Sequence, residues 1–297
     1  MIILALMLYF IEQVSTAAAF DTITSMTELE NFISEQKGKT ISVAAYDLET
    51  GREILVNPDE AYHPASTIKV HVMMEVFHQA EQGIFSLEDC VPIINSFKSI
   101  VDGSQYSLDA NDDAEQTLYP RIGESVSIGE LTRLMIVRSS NLATNIMLEK
   151  IGTKNVSGFI HLLGIECVTF LRGIDDVPAF LRSMNNSATA RGLTHTMKLI
   201  AEKNVVSQPA SERMIEILLG QEFNESIPAL LPKTVKVAHK TGWTGDVYHD
   251  TGIVYREGEN RKPYALSIMT RGFAEDQANE AHACMAEISK LIYERLN

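Results

Sequence analysis

The run Ser66-Thr67-Ile68-Lys69 sets a hydroxyl three residues ahead of an amine. On a helix, positions i and i+3 share a face, so the two groups meet. At a helix N-terminus, backbone N–H groups and the dipole favour developing negative charge. A lysine among apolar neighbours has its pKa lowered and can take a proton from serine. The pair therefore has the makings of an activated nucleophile. The spacing alone is common: average composition gives about one such pair in a chain of this size. Ser34-Glu35-Gln36-Lys37 is a second instance, in a polar stretch.

Two further triplets narrow the reading. Ser139-Ser140-Asn141 lies between two apolar helical patterns. A hydroxyl and a carboxamide at such a break either reach into a cleft or cap the next helix. Ser183-Met184-Asn185 repeats the S-x-N form. Lys240-Thr241-Gly242 ends a strand in which Val235 and Val237 alternate. A strand-edge cation with a hydroxyl suits an anionic group such as a carboxylate. The glycine lets a ligand approach the backbone closely.

These residues need elements to hold them. Residues 26–36 read as a short helix with Leu29, Phe32 and Ile33 on one face. Ile41, Val43 and Ala45 alternate in a strand over 40–46, and a second strand returns over 52–56 after Glu49-Thr50-Gly51. Pro64 sits where a helix begins. Val70, Val72, Met73, Met74, Val76 and Phe77 make that helix apolar nearly all round, as in a buried central helix. Helical patterns follow over 127–137, 142–151 and 211–220, strand patterns over 234–240, 251–255 and 264–270, and a last helix over 276–296. Residues 90–124 are irregular and acidic, with Asp109, Asp112, Asp113 and Glu115, and read as a solvated surface loop able to cover a cleft. The expected fold class is α/β plus all-α: five strands in one sheet from both chain ends, terminal helices over one face, and an inserted helical lobe. The α/β part takes residues 22–64 plus 221–297 and the helical part 65–220, with the site between them.

S-x-x-K, then S-x-N, then K-T-G, in this layout, resembles the penicillin-recognising serine hydrolases. Ala65–Val70, Ser139–Asn145 and Val237–Gly242 are similar to the class A β-lactamase branch, and the resemblance covers about residues 26–297. It implies a β-lactamase/transpeptidase-like fold with an antiparallel sheet, and β-lactam ring opening through an acyl-serine, the chemistry of antibiotic resistance. On this resemblance Ser66 is the nucleophile and Lys69 its base or part of a proton relay. Ser139 passes a proton to the leaving nitrogen, and Asn141 holds the substrate's side-chain amide. Lys240 and Thr241, ahead of Gly242, hold its carboxylate. The N–H groups of Ser66 and Trp243 form an oxyanion hole. The implied partner is a small-molecule β-lactam or a cell-wall peptide, acted on by a monomer without cofactor or metal.

The chain departs from that family in three places. Class A enzymes carry R-x-E-x-x-L-N on the loop after the helical middle, where the glutamate activates the deacylating water. Here Arg172 is followed two residues on by Ile174, and Asp175 and Asp176 come one and two residues late. These aspartates are candidate bases, with ion pairing to Arg172 or Arg182 as the structural alternative. The L-N pair is absent. Ser140 stands where the central motif usually has aspartate, and the acidic segment 90–124 is long. Loss of the glutamate keeps two other readings open: a D-Ala-D-Ala carboxypeptidase or esterase, and a penicillin-binding sensor that stays acylated.

The chain has 297 residues and a net charge of −14, with 45% hydrophobic residues. That composition excludes general disorder, and the negative charge argues against a nucleic-acid partner. Cys90, Cys167 and Cys284 are too few for a disulfide scaffold and lack zinc spacing. The eight histidines show no metal spacing: His71 and His78 read as packing residues, and His249 as structural or rimming the site. Residues 1–19 read as an export signal, an apolar run followed by small residues through Ala19, so the expected location is secreted or periplasmic. The run is too short to span a membrane.

Overall fold

The computed structural model describes residues 27–297, so the predicted export signal lies outside it. A first helix, α1 (27–35), leads into strand β1 (Thr40–Asp47). Asp47 then ties the turn by accepting from Glu49 N and Thr50 Oγ1, and β2 (Glu53–Val56) returns against β1 with Val43 opposite Val56. The other three strands come from the far end of the chain: β9 (Lys236–Thr244), β10 (Val247–Tyr255) and β11 (Tyr264–Arg271). Their order is β2-β1-β11-β10-β9, antiparallel throughout, so β1 pairs with β11 and β9 forms an edge.

Alternation along β1 divides the core. Ile41, Val43 and Ala45 face one way, into a cluster with Leu29 of α1 and Ile288 and Ile292 of the terminal helix α9 (Ala278–Leu296). Ala44 faces the other way, toward α2 (Lys69–Glu81) and the helical residues. That second cluster takes in α3 (Ile128–Val137), α4 (Asn141–Ile151), α5 (Thr153–Leu162), α7 (Ala190–Ala201) and α8 (Gln208–Leu219), with the short α6 (Val177–Leu181) at the surface. Val72, Met73 and Met74 of α2 are essentially inaccessible, and each such side chain contributes about 1.5–3 kcal/mol by burial. The polar residues of α2 are paired: His71 Nε2 meets Thr196 Oγ1 at 2.9 Å, and the His78 ring stacks on Phe159 at 4.0 Å.

Several expectations need correction. The segment 90–124 is not a solvated loop. Its β3 (Cys90–Pro92) pairs with β6 (Ser125–Ser127), its β4 (Phe97–Lys98) pairs with β5 (Gln105–Tyr106), and Ile93, Phe97, Leu108 and Leu118 are buried in the helical core. The apolar residues are spaced too irregularly to betray this. Further along, β7 (Val168–Thr169) pairs with β8 (Ser187–Ala188). Strand β9 does not stop at Lys240 but runs on to Thr244, and β10 starts at Val247 rather than 251, because a two-residue turn at Gly245 and Asp246 joins them. Gly245 supplies the positive φ, 55°, that this tight hairpin needs. Helices α5 and α7 were absent from the sequence pattern. Glycine and threonine dilute α7, and packing against β1 and β11 outweighs propensity. The three cysteines are unpaired, Cys284 within the core. Among the described residues no helix is long and apolar enough to cross a membrane.

Candidate active site

Ser66 stands on a single 3₁₀ turn, Ala65–Ile68, that runs directly into α2. Lys69 is therefore the first residue of α2, one turn beyond Ser66. Ala65, just before the serine, has φ 47°, a conformation that L residues adopt only under local constraint. The constraint is visible across the gap to β9. A Cβ on Gly242 would fall 2.7 Å from Ser66 N and 2.8 Å from Thr67 N. Only glycine lets the strand approach this closely, which sets the backbone of the K-T-G run beside the serine N–H.

Lys69 is fully buried and has three oxygen partners. Its Nζ donates to the Ser139 carbonyl at 2.6 Å, to Asn141 Oδ1 at 2.7 Å and, at 3.4 Å, to Ser139 Oγ. Burial pulls its pKa down to about 7, against the opposing charges of Asp113 and Asp175. Lys240 approaches the same hydroxyl from the sheet: its Nζ donates to Ser139 Oγ at 3.0 Å and to the Thr241 carbonyl at 2.8 Å. Burial, with the neighbouring charge of Lys69, holds Lys240 well below the usual lysine range, and Asp250 pulls the other way. One serine hydroxyl thus sits between two lysines. Ser139 itself has φ 58°, which turns it out of the break between α3 and α4.

The remaining predicted binding residues line the same edge. Thr241 is buried, and its Oγ1 has no partner. Trp243 is 43% exposed and lies edge-on to Phe223, whereas Tyr248 of β10 is buried, edge-on to Phe273 and His282. His249 is not at the rim. It is buried, bonded to the His63 carbonyl, and burial pushes its pKa down to about 4. Ser34 lies at the end of α1 and Lys37 in the turn after it, and Ser183-Met184-Asn185 lies on the loop where Asn185 accepts from Arg172.

The two aspartates of that loop part company. Asp176 is fully buried and turned away into structural work: it accepts from Ser99 Oγ at 2.7 Å, from Ile100 N at 2.9 Å and from Ala179 N as the cap of α6. Asp175, at φ 56°, is exposed and free of that structural work, and its charge favours the ammonium form of Lys69. Desolvation raises its pKa, assisted by Asp112 and Asp113 and opposed by Arg172. Arg172 makes no direct ion pair with either aspartate; it donates to Asn185 and to the Gly173 carbonyl. Ile174, in the glutamate's place, is held by Asn145, which accepts from Ile174 N at 2.8 Å and donates to Ile174 O at 2.9 Å. Gly173 is required there, because a Cβ would fall 2.8 Å from Asn145 Oδ1.

Asp113 is the residue that the sequence pattern did not single out for the site. It is buried at the N-terminus of α4 and accepts from the N–H groups of Asn141 and Leu142 and from Tyr119 OH. Its place in an irregular acidic stretch gave no signal beyond the charge itself.

The fold and the sequence have known relatives. PBP-A superposes with a TM-score of 0.77 at 22% identity, over 91% of this chain and 95% of its own. The TLA-1 extended-spectrum β-lactamase superposes with 0.77 at 21%, over 93% and 99%. By sequence, the extended-spectrum β-lactamase PER-1 of Pseudomonas aeruginosa is 24% identical over 90% of this chain and 85% of its own length. The β-lactamase BRO-1 of Moraxella catarrhalis is 28% identical over 57% and 55%. The family model of the Beta-lactamase enzyme family matches residues 24–296, and the chain belongs to that family.

Proposed function

We propose that this protein is a serine hydrolase that opens β-lactam rings by acylation of Ser66, and that Asp175 takes the deacylating role left vacant at Ile174. The observation that carries the reading is the Lys69–Ser139–Lys240 chain, with both amines donating to one hydroxyl. Neutral Lys69 takes the proton of Ser66 as its Oγ attacks the lactam carbonyl. The N–H groups of Ser66 and Trp243 receive the oxyanion. Ser139 Oγ accepts from Lys240, so its own proton is free to pass to the leaving nitrogen as the C–N bond breaks. The proton gained by Lys69 refills Ser139. Lys240 and the unpartnered Thr241 Oγ1 receive the substrate carboxylate, and Asn141 its side-chain amide. Water then attacks the ester. Asp175 accepts a proton from that water, and Ser66 leaves with a proton as a free hydroxyl.

A specific observation favours a second reading. Asn145 fixes the backbone of an isoleucine where class A enzymes carry glutamate, and Asp175 is exposed at the surface. On that reading deacylation is slow and the natural substrate is a D-Ala-D-Ala peptide or an ester. A leucine-to-glutamate variant of PBP-A forms an acyl-enzyme complex with penicillin G, which fits a fold able to take up a β-lactam covalently. Export of the chain by residues 1–19 and a monomeric state belong to the same proposal.

The test follows a chromogenic cephalosporin and D-Ala release from a cell-wall peptide side by side. Sustained cephalosporin turnover supports the β-lactamase reading, and D-Ala release without it supports the second. Neither activity, with no acylation of Ser66, refutes both.

A further inference from the structure

We propose that Asp113 is a positioning residue for Lys69 and Asn141, returning in space the carboxylate that Ser139-Ser140-Asn141 lacks at its centre. The proposal rests on Lys69 and Asn141 acting at Ser66 as described above. Ser140 caps α4 only at Ala143 N. The next exposed donors of that helix end, the N–H groups of Asn141 and Leu142, would be left without a partner. Asp113 fills them. Its two oxygens lie 3.0 and 2.9 Å from Asn141 N, and Oδ2 lies 2.9 Å from Leu142 N. The carboxylate is fixed from its own side as well, by Tyr119 OH at 3.0 Å and Glu115 N at 3.0 Å. It is 4% exposed, so these bonds are made away from water. Charge-assisted bonds of this kind are the strong ones, and a helix N-terminus favours the negative charge.

The consequence reaches Lys69 through one residue. The backbone of Asn141 hangs on Asp113, and the side chain of the same Asn141 accepts from Lys69 Nζ at 2.7 Å. The carboxylate also acts on Lys69 directly, favouring the ammonium form. The charged groups around Lys69 are Asp113 and Asp175 on one side and Lys240 on the other. Glu115, next along the segment, is paired with Arg138 at 2.7 Å. The acidic segment 90–124 therefore delivers one buried negative charge from 28 residues upstream to the place where the motif itself has a neutral serine.

The experiment titrates Lys69 directly, by NMR of side-chain-labelled lysine, in the full chain and in Asp113→Asn, with the acylation rate by a penicillin measured across pH. The expected result is a Lys69 midpoint moved to lower pH, with acylation slowed about tenfold to a hundredfold by the lost positioning. Where acylation is observed, its acid limb moves with the midpoint. A midpoint that stays in place overturns the proposal, even if stability or rate falls. Because the NMR readout needs no turnover, a chain that never acylates refutes the functional reading without deciding this one. The double variant Asp113→Asn/Ser140→Asp moves the carboxylate back into the motif, where aspartate also caps α4. A restored midpoint supports the proposal and an unrestored one overturns it. Should the single variant not fold, Asp113→Asn/Ser140→Asn, whose new carboxamide caps α4 without a charge, carries the test: its Lys69 midpoint is expected below the parent's, and one that stays in place overturns the proposal.

Discussion

The Asn145 carboxamide grips both backbone polar atoms of Ile174, at 2.8 and 2.9 Å, and so fixes the loop at the position where related enzymes place a glutamate. The anchored position carries an isoleucine, whose side chain cannot take a proton from water. Asp175, one residue on, takes a left-handed backbone. Replacing Asn145 with Ala removes two buried bonds and should cost about 2 kcal/mol or more. Thermal unfolding reads this as a lowered Tm, and an unchanged Tm would mean that the bracket carries no stability.

Ile174→Glu tests the base directly. With the loop held by Asn145, a carboxylate at 174 should speed release of the acyl group by tenfold or more, while leaving acylation nearly unchanged. Asp175→Asn should slow release by a similar factor. Single-turnover kinetics separate the two steps. If Asp175→Asn releases the acyl group at the parent rate, Asp175 is not the base.

Lys69 gives the pH dependence. Its pKa is pulled to about 7, and only the neutral amine can take the serine proton. Acylation should therefore rise as pH increases through about 7 and level off above it. Release should fall at low pH as Asp175, raised above the ordinary carboxylate value by partial desolvation and the nearby Asp112 and Asp113, becomes protonated. An acylation rate that is flat from pH 5 to 9 would exclude Lys69 as the base.

Gly242→Ala puts a methyl group within 3 Å of two backbone nitrogens, and neither can move without shifting the serine turn. Overpacking of this kind costs about 1–3 kcal/mol. The variant should melt lower and acylate at least tenfold more slowly, which differential scanning calorimetry and a stopped-flow assay would measure.

What the sequence disclosed follows from how locally each feature is encoded. Ser66 and Lys69 are one helical turn apart, and Lys240, Thr241 and Gly242 are contiguous, so their spacing speaks for itself. Alternation in β1 announced the two-faced sheet, because Ile41, Val43 and Ala45 meet α9 while Ala44 meets the helices. The strand ends near Thr244 and Val247 were not legible, since Lys240 and Thr241 are polar yet buried for chemical reasons. Asp113 was hidden for a different reason: its partners lie 28 and 29 residues away, across a segment whose four buried apolar anchors follow no period. Asp175 and Asp176 looked equivalent in sequence, and only the contacts to Ser99, Ile100 and Ala179 separate the buried, structural one from its exposed neighbour.

Intact-mass spectrometry of the full chain and of Ser66→Ala, each mixed with a penicillin and followed over time with peptide mapping, tests acylation at Ser66 most directly. The parent protein should gain one penicillin mass on the peptide holding Ser66, persistent or transient according to the deacylation rate. Ser66→Ala should show no adduct and lose at least ~10³-fold of any hydrolysis. An adduct or hydrolysis that survives Ser66→Ala, or a parent protein with neither, would contradict the account.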